Sequence, residues 1–378
     1  GDFLDQVVVG DHSLDMIEEF SLNAISINTF TGNQNISQPY YGSMTDLLDF
    51  DYFSDTLNND ESIVVLGKFS DGEQQANNYE AVRFVKEKSS PSLLNKFKIE
   101  GSTVIPGSSY HVLRSNALSN ESDTFTTGSL IKFAPKLESV IYAYKPTDAN
   151  IPQLIRYVNG FSSPITPEEE SNGGAADSTG ISNSVDENAR LSSQVRAIVV
   201  TQVHIEDFNA EGGVSQSKEY VFLADAGLQR IVRFLYNNTP PDIDIGFSVL
   251  PSISLTAISI STGLTVSIVP VAMDVEQSGS VAYIANATEI YKLDISGSEV
   301  TNITSFGGYG FGDGKFENIS YIKGRRAVDE STFSEIYVAD SSSNRISVFS
   351  TNGEFIRYFG QNFYGVGGVK KPSLIGVK

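Results

Sequence analysis

Two stretches of this chain repeat one pattern at identical spacing. Ala339-Asp340 is followed by four residues, then Arg345-Ile346, two more residues and Phe349; Ala224-Asp225 is followed by four, then Arg230-Ile231, two more and Phe234. Each polar turn joins two runs rich in β-branched and aromatic residues, Ile336 to Asp340 before the first and Tyr220 to Asp225 before the second. Such runs are strands. A repeat constrains the fold more than composition does, because a lone hairpin cannot bury its faces and copies must pack on one another.

Weaker copies keep the plan. Val281 to Asn286 turns into Ile290-Tyr291-Lys292-Leu293, Val140 to Tyr144 into Leu154 to Val158, and Ile63 to Gly67 into Ala81 to Val85. A sixth opens the chain, Gln6 to Asp11 turning into Met16 to Phe20. Six copies in 378 residues average about 63 each. A further strand precedes most pairs, at Asn318 to Lys323, Pro270 to Val275, Val195 to His204, Gly128 to Phe133 and Met44 to Phe50. Another follows, at Glu354 to Phe359, Asp242 to Val249, Leu93 to Ile99 and Ala24 to Phe30. Four antiparallel strands repeated radially make a propeller blade. Near-continuous apolar runs such as Val7-Val8-Val9 predict sheets buried on both faces. The Asp or Asn ending the first run can bond the turn backbone.

The chain starts on a second strand and ends on Lys371 to Val377, which reads as a first strand. One blade is therefore expected from both termini, with Leu374 to Val377 beside Val7 to Gly10, leaving no unpaired seam. The reading is all-β: a single six-bladed propeller over residues 1–378, with four-stranded antiparallel blades. About 162–190, rich in Ser, Asn, Gly and acids, reads as an acidic surface insert. About 252–269, with alternating apolar residues, reads as an extra hairpin.

Gly312-Asp313-Gly314-Lys315-Phe316, Ile336 to Asp340, Asn344-Arg345-Ile346, Phe349, Gly353-Glu354-Phe355 and Phe359-Gly360 together resemble one full NHL repeat. The unit around Asp225 resembles it over the middle strands, and the other four in pattern only. The resemblance implies a binding propeller. It also implies an alternative, since an NHL-related lyase acting on glycine-extended peptides is a propeller with a His-bound metal.

Charge narrows the partners. Forty-six acids against 26 bases give a formal charge of −20, which repels phosphate backbones and anionic membrane surfaces. No run of about 18 apolar residues is present, so no membrane insertion is expected. Without cysteine, disulfides, thiolate metal sites and cysteine nucleophiles are excluded. The start at Gly1 is neither an initiator Met nor a signal peptide, so a processed or excised piece is expected.

Four blade-to-blade connections carry tyrosine beside small residues: Tyr40-Tyr41-Gly42, Ser109-Tyr110-His111, Tyr309-Gly310-Phe311 and Phe363-Tyr364-Gly365. In an antiparallel four-stranded blade these links lie at the same end as the turn from second to third strand. The candidate ligand residues are Tyr40, Tyr41, Tyr110, Tyr309, Phe311, Phe363 and Tyr364, since tyrosine offers both contact area and a hydroxyl. His12, His111 and His204, about a third of the ring apart, form the alternative metal set. Gly307 to Gly314 contains G-x-G-x-G but precedes a strand, so it reads as a link rather than a phosphate loop. Asp49, Asp51 and Asp55, like Glu168 to Glu170, lack calcium-loop spacing and read as solvated acids. Arg83, Arg156, Arg233 and Lys292 hold matching third-strand positions and read as outward side chains pairing with surface acids, with an anion-binding ring as the other reading.

The leading expectation is a non-enzymatic binding or structural module of an extracellular, cell-surface or virion assembly, needing no cofactor. Its partner would be a protein or glycan, and it would be a module of a longer chain or larger assembly. The alternative is a metal-dependent propeller enzyme, lyase or hydrolase, with its site on the ring axis.

Overall fold

A computed structural model describes residues 6–11, 16–21, 26–30, 44–55, 60–69, 79–86, 97–99, 125–135, 137–146, 152–158, 163–165, 187–206, 215–238, 246–256, 258–259, 263–327, 331–360 and 371–377. They form an all-β molecule. The first sheet holds β1 (Gln6–Asp11), β2 (Met16–Ser21) and β3 (Ser26–Phe30). The second holds β4 (Met44–Asp55), β5 (Asp60–Phe69), β6 (Glu80–Lys86) and β7 (Phe97–Ile99). The third holds β8 (Leu130–Ala134), β9 (Leu137–Lys145), β10 (Gln153–Val158) and β11 (Ser163–Ile165). The fourth holds β12 (Val195–Glu206), β13 (Ser215–Asp225), β14 (Arg230–Asn238) and β15 (Gly246–Ser254). A small hairpin, β16 (Ile258–Ser259) and β17 (Thr265–Val266), precedes the fifth sheet. That sheet holds β18 (Ala272–Val275), β19 (Val281–Ala285), β20 (Glu289–Asp294) and β21 (Thr301–Gly307). The sixth holds β22 (Ile319–Arg326), β23 (Phe333–Asp340), β24 (Arg345–Ser350) and β25 (Phe355–Phe359). Finally β26 (Pro372–Val377) joins β1 at the edge of the first sheet.

Among the described residues there are six four-stranded antiparallel sheets in a propeller arrangement, five pairing their strands in chain order and the first placing β26 before β1, β2 and β3. First strands pack side by side: β4 on β8, β8 on β12, β12 on β18, β18 on β22, β22 on β26, and β26 on β4. The terminal pairing follows the expected register, Val7 opposite Val377, Val9 opposite Ile375 and Gly10 opposite Leu374. The ends beyond, Gly1 and Lys378, lie outside the described residues.

The core sits between sheets, as double-faced apolar strands require. Ala224, Ile231 and Phe222 of the fourth sheet pack with Met273, Ile284 and Leu293 of the fifth. Ala285, Ile290 and Tyr283 of the fifth pack with Ile322, Val338 and Phe349 of the sixth. Tyr337, Ala339 and Val348 of the sixth meet Val9 and Ile375 of the first. That last contact couples the paired termini to the rest of the core. Where the first sheet meets the second, a Cβ at Gly376 would lie 2.7 Å from Tyr52 Cβ, and one at Gly10 2.9 Å from Phe50 Cε1. Glycine there lets β4 lie close against the closing strand.

Two expectations are narrowed. The extra hairpin is shorter than 252–269, because residues through Ser254 belong to β15. The acidic insert is interrupted at its start, where β11 completes the third sheet.

Candidate functional site

The repeated Asp and Arg build one end of the sheets. Asp340, fully buried, accepts from the backbone N–H groups of Glu317 (3.0 Å) and Asn318 (3.1 Å) in the incoming link, and of Ser342 (3.3 Å) and Ser343 (3.1 Å) in its own turn. Arg345 donates to the carbonyls of Phe311 (3.4 Å), Gly312 (3.2 Å) and Lys315 (2.6 Å). One carboxylate thus gathers the link's donors, and one guanidinium its acceptors. The fourth sheet repeats the device: Asp225 accepts from Ser192 N (2.8 Å), Leu228 N (3.0 Å) and the Ser192 hydroxyl. Arg230 donates to the carbonyls of Glu187 (2.7 Å) and Arg190. Asp11 accepts from Lys371 N at 3.1 Å. In the fifth sheet Asn286 caps its turn through Thr288 N (2.9 Å) and Glu289 N (2.7 Å). The last turn residues Gln229 and Asn344 take positive φ, 46° and 52°. These bonds put the second-to-third turns and the links at one end, the link face.

Tyr309 and Phe311 stand out on that face, 71% and 70% exposed. Their loop needs glycine, since Gly307, Gly308 and Gly310 have φ of 99°, 101° and 146°. The loop is fixed at its base by Gly308 N to Thr288 O (2.8 Å) and Lys315 Nζ to Gly307 O (2.6 Å). Fixing the backbone while exposing two aromatic rings is the reverse of core packing. Leu264, Val269 and Leu228 are also exposed at this end. The segment 255–269, which holds the β16–β17 hairpin and carries the first two, rests on the turn that carries the third, through Leu255 N to Gln229 O and the Ser267 hydroxyl to Gln229 Oε1. These three aliphatic residues were not singled out from sequence. Alternation in 252–269 pointed to strands, and nothing local told an outward Leu264 from a buried one. Of the other candidates, Tyr40, Tyr41, Tyr110, Phe363 and Tyr364 lie outside the described residues.

The axis holds a second polar cluster. Asp49 and Asp51 are buried, not solvated as expected. Asp49 accepts from Phe50 N (2.9 Å) and from Ile131 N (2.7 Å) on the next sheet; Asp51 accepts from Phe133 N (2.8 Å). Lys132 Nζ bonds Phe50 O at 3.0 Å and lies 3.6 Å from Asp49 and 3.7 Å from Asp51. Burial pushes the Asp49 carboxyl up to about 6, against the pull of Lys132. Opposite, Asp274 accepts from Gly324 N (2.8 Å) and pairs with Lys323 at 3.4 Å. Asp55 has no described side chain.

The third-strand bases do not point outward to surface acids. Arg156 is buried and bonds Glu219 of the next sheet through two nitrogens, both at 3.2 Å, with its guanidinium 3.9 Å from the Tyr236 ring centroid. Tyr142, opposite Arg156 in register, also donates to Glu219; burial first, then Glu219, pushes its hydroxyl far up. Arg233 reaches Ile295 O (3.1 Å) and Lys292 reaches Thr351 O (3.2 Å), each in the turn between third and fourth strands of the next sheet. These bases rivet sheets together. The Arg83 side chain lies outside the described ones.

Of the metal alternative, His12 and His111 fall outside the described residues, and His204 is in β12 with no described side chain. Among the described residues, no group of three or more His, Asp or Glu is placed to hold a metal ion, and no helix is long and apolar enough to cross a membrane.

No protein-family model and no curated protein matches the chain. Solved structures do. A functionally unknown protein from Desulfotomaculum acetoxidans is similar at 12% identity over 98% of both chains, TM-score 0.45. An auxiliary nutrient binding protein from Bacteroides ovatus is similar at 10% identity over 99% of this chain and 70% of that one, TM-score 0.44. The Aleuria aurantia lectin with Fucα1-6GlcNAc is similar at 11% identity over 82% of this chain and 77% of that one, TM-score 0.40. Likeness this slight transfers no function.

Proposed function

We propose that the chain is a non-enzymatic binding propeller of six blades, NHL-like in its repeat, which takes a protein or glycan ligand on the link face. The cyclic packing of first strands and the Val7–Val377 pairing support six blades in one closed ring. The single observation behind the binding reading is the apolar display on that face: Tyr309 and Phe311 on the link that Asp340 and Arg345 hold in place, and Leu264 on the segment that rests on the Gln229 turn, each at least 65% exposed. Exposed aromatics on a fixed loop cost little ordering entropy on binding, the pattern of interface anchors. A charge of −20 favours partners whose own rim is basic. An extracellular, cell-surface or virion setting, within a longer chain or larger assembly, completes the proposal.

The test is an immobilised-glycan and protein-partner screen with and without chelator, repeated with Tyr309→Ala and Phe311→Ala. Binding that survives chelator and falls at least tenfold in either variant, at unchanged melting temperature, supports the face. A ligand whose affinity ignores both substitutions, or needs a metal, removes it.

A further inference from the structure

Lys132 and Tyr321 meet across the ring. Lys132 is on β8 and Tyr321 on β22, three steps apart in the cycle of first strands, yet Nζ lies 5.4 Å from the ring centroid. A contact between opposite first strands passes over the axis. Lys132 also ties β4 to β8, through Phe50 O and the two carboxylates. One side chain therefore links the second, third and sixth sheets.

Its charge balance is incomplete. Asp49 and Asp51 face a single ammonium, and all three residues are at most 9% exposed. The phenol of Tyr321 is pushed up by burial and stays neutral. Among the described residues, the other elements packed on β4 bring nothing titratable to Asp49. Opposite it on β5 stand Val64, Val65 and Leu66; β26 has no titratable side chain; Asp11, at the end of β1, binds Lys371 N. Across the axis, Asp274 and Lys323 pair with each other. The buried group of Asp49, Asp51 and Lys132 thus carries one uncompensated negative charge, which a low-dielectric site disfavours.

We propose that this axial group is an acid-responsive bolt: Asp49 takes up one solvent proton in mildly acidic medium, which neutralises the group and tightens the ring. The sign follows from linkage. A carboxyl that holds its proton more firmly folded than unfolded favours the fold increasingly as pH falls through the folded midpoint, and the gain ends below the unfolded one. Lys132 stays bonded to Phe50 O and beside Asp51 in both states, so the bolt holds throughout.

Denaturant unfolding of the whole chain at pH 7.5, 6.5, 5.5 and 5.0 tests this. With a folded midpoint near 6, the site alone raises the folding constant about tenfold between pH 7.5 and 5.0. Asp49→Asn removes that increment. Glu299→Gln, which removes one exposed charge, keeps it and so separates the bolt from the general relief of acidic repulsion. Asp49→Asn retaining the wild-type slope overturns the proposal. Carboxyl-carbon NMR titration of the wild-type chain decides it without any variant: an aspartate midpoint near pH 6 supports the bolt, and all aspartates below pH 5 overturn it.

Discussion

Asp340 and Arg345 show how two side chains can define the end of a sheet. The carboxylate meets four backbone donors, two of the link and two of its own turn, and the guanidinium three carbonyls of the link. Removing the acceptor strands those part-buried donors. Asp340→Ala should cost about 3 kcal/mol and Asp340→Asn less than half of that, since the amide oxygen still accepts. Urea midpoints at a constant m-value check this, and equal losses would put the effect on shape rather than hydrogen bonding. Asp225→Ala should behave alike, as its carboxylate holds the corresponding link. This much of the structure was legible in the sequence, because Asp-x4-Arg recurs in register. The axial acids were not. Asp49 and Asp51 sit two apart on a strand and so share a face, which reads as readily exposed as buried; their partner Lys132 is some eighty positions away, with no motif to point to it.

Between elements, the sheets are joined by one recurrent arrangement: an aromatic on the second strand opposite a base on the third, the base reaching forward. Tyr142 with Arg156, Phe222 with Arg233 and Tyr283 with Lys292 occupy it. Only the first ends on a carboxylate, Glu219, and both charges are buried. Breaking such a pair leaves a lone charge inside. Arg156→Met should therefore cost about 3–5 kcal/mol, while Arg156→Met with Glu219→Met should recover most of it. A double variant no better than the single would show that Arg156 works by packing on Tyr236 instead. Middle strands were readable because they are apolar on both faces. Outer strands were harder: β21, Thr301–Gly307, was not read at all. It pairs on one side only and exposes Thr301, Asn302, Thr304 and Ser305, so no alternation marks it.

At the scale of the whole molecule, everything depends on how the ring is shut. β26 is bonded to β1 on one side and packs against β4 and β22, and Ser320 of β22 donates its hydroxyl to Pro372 O at 2.6 Å. Removing residues 371–377 would leave β1 as an open edge and uncover Val9, Phe50 and Tyr337, all buried. Truncation at residue 370 should then cost about 5 kcal/mol or more and promote association through the bare edge. Lost contacts alone do not separate closure from the mere removal of a strand, but a permutation does. Val377 pairs with Val7, so a short hairpin linker can join residue 378 to residue 6 in a chain that starts at 371 and ends at 360. That permutant keeps every pairing of the described strands and omits residues 1–5 and the 361–370 connection from β25 to β26. If the ring is held by pairing, it should melt within a few degrees of the wild type while the truncated chain does not fold cooperatively. A permutant as unstable as the truncation would mean that the severed link, not the seam, carries the closure.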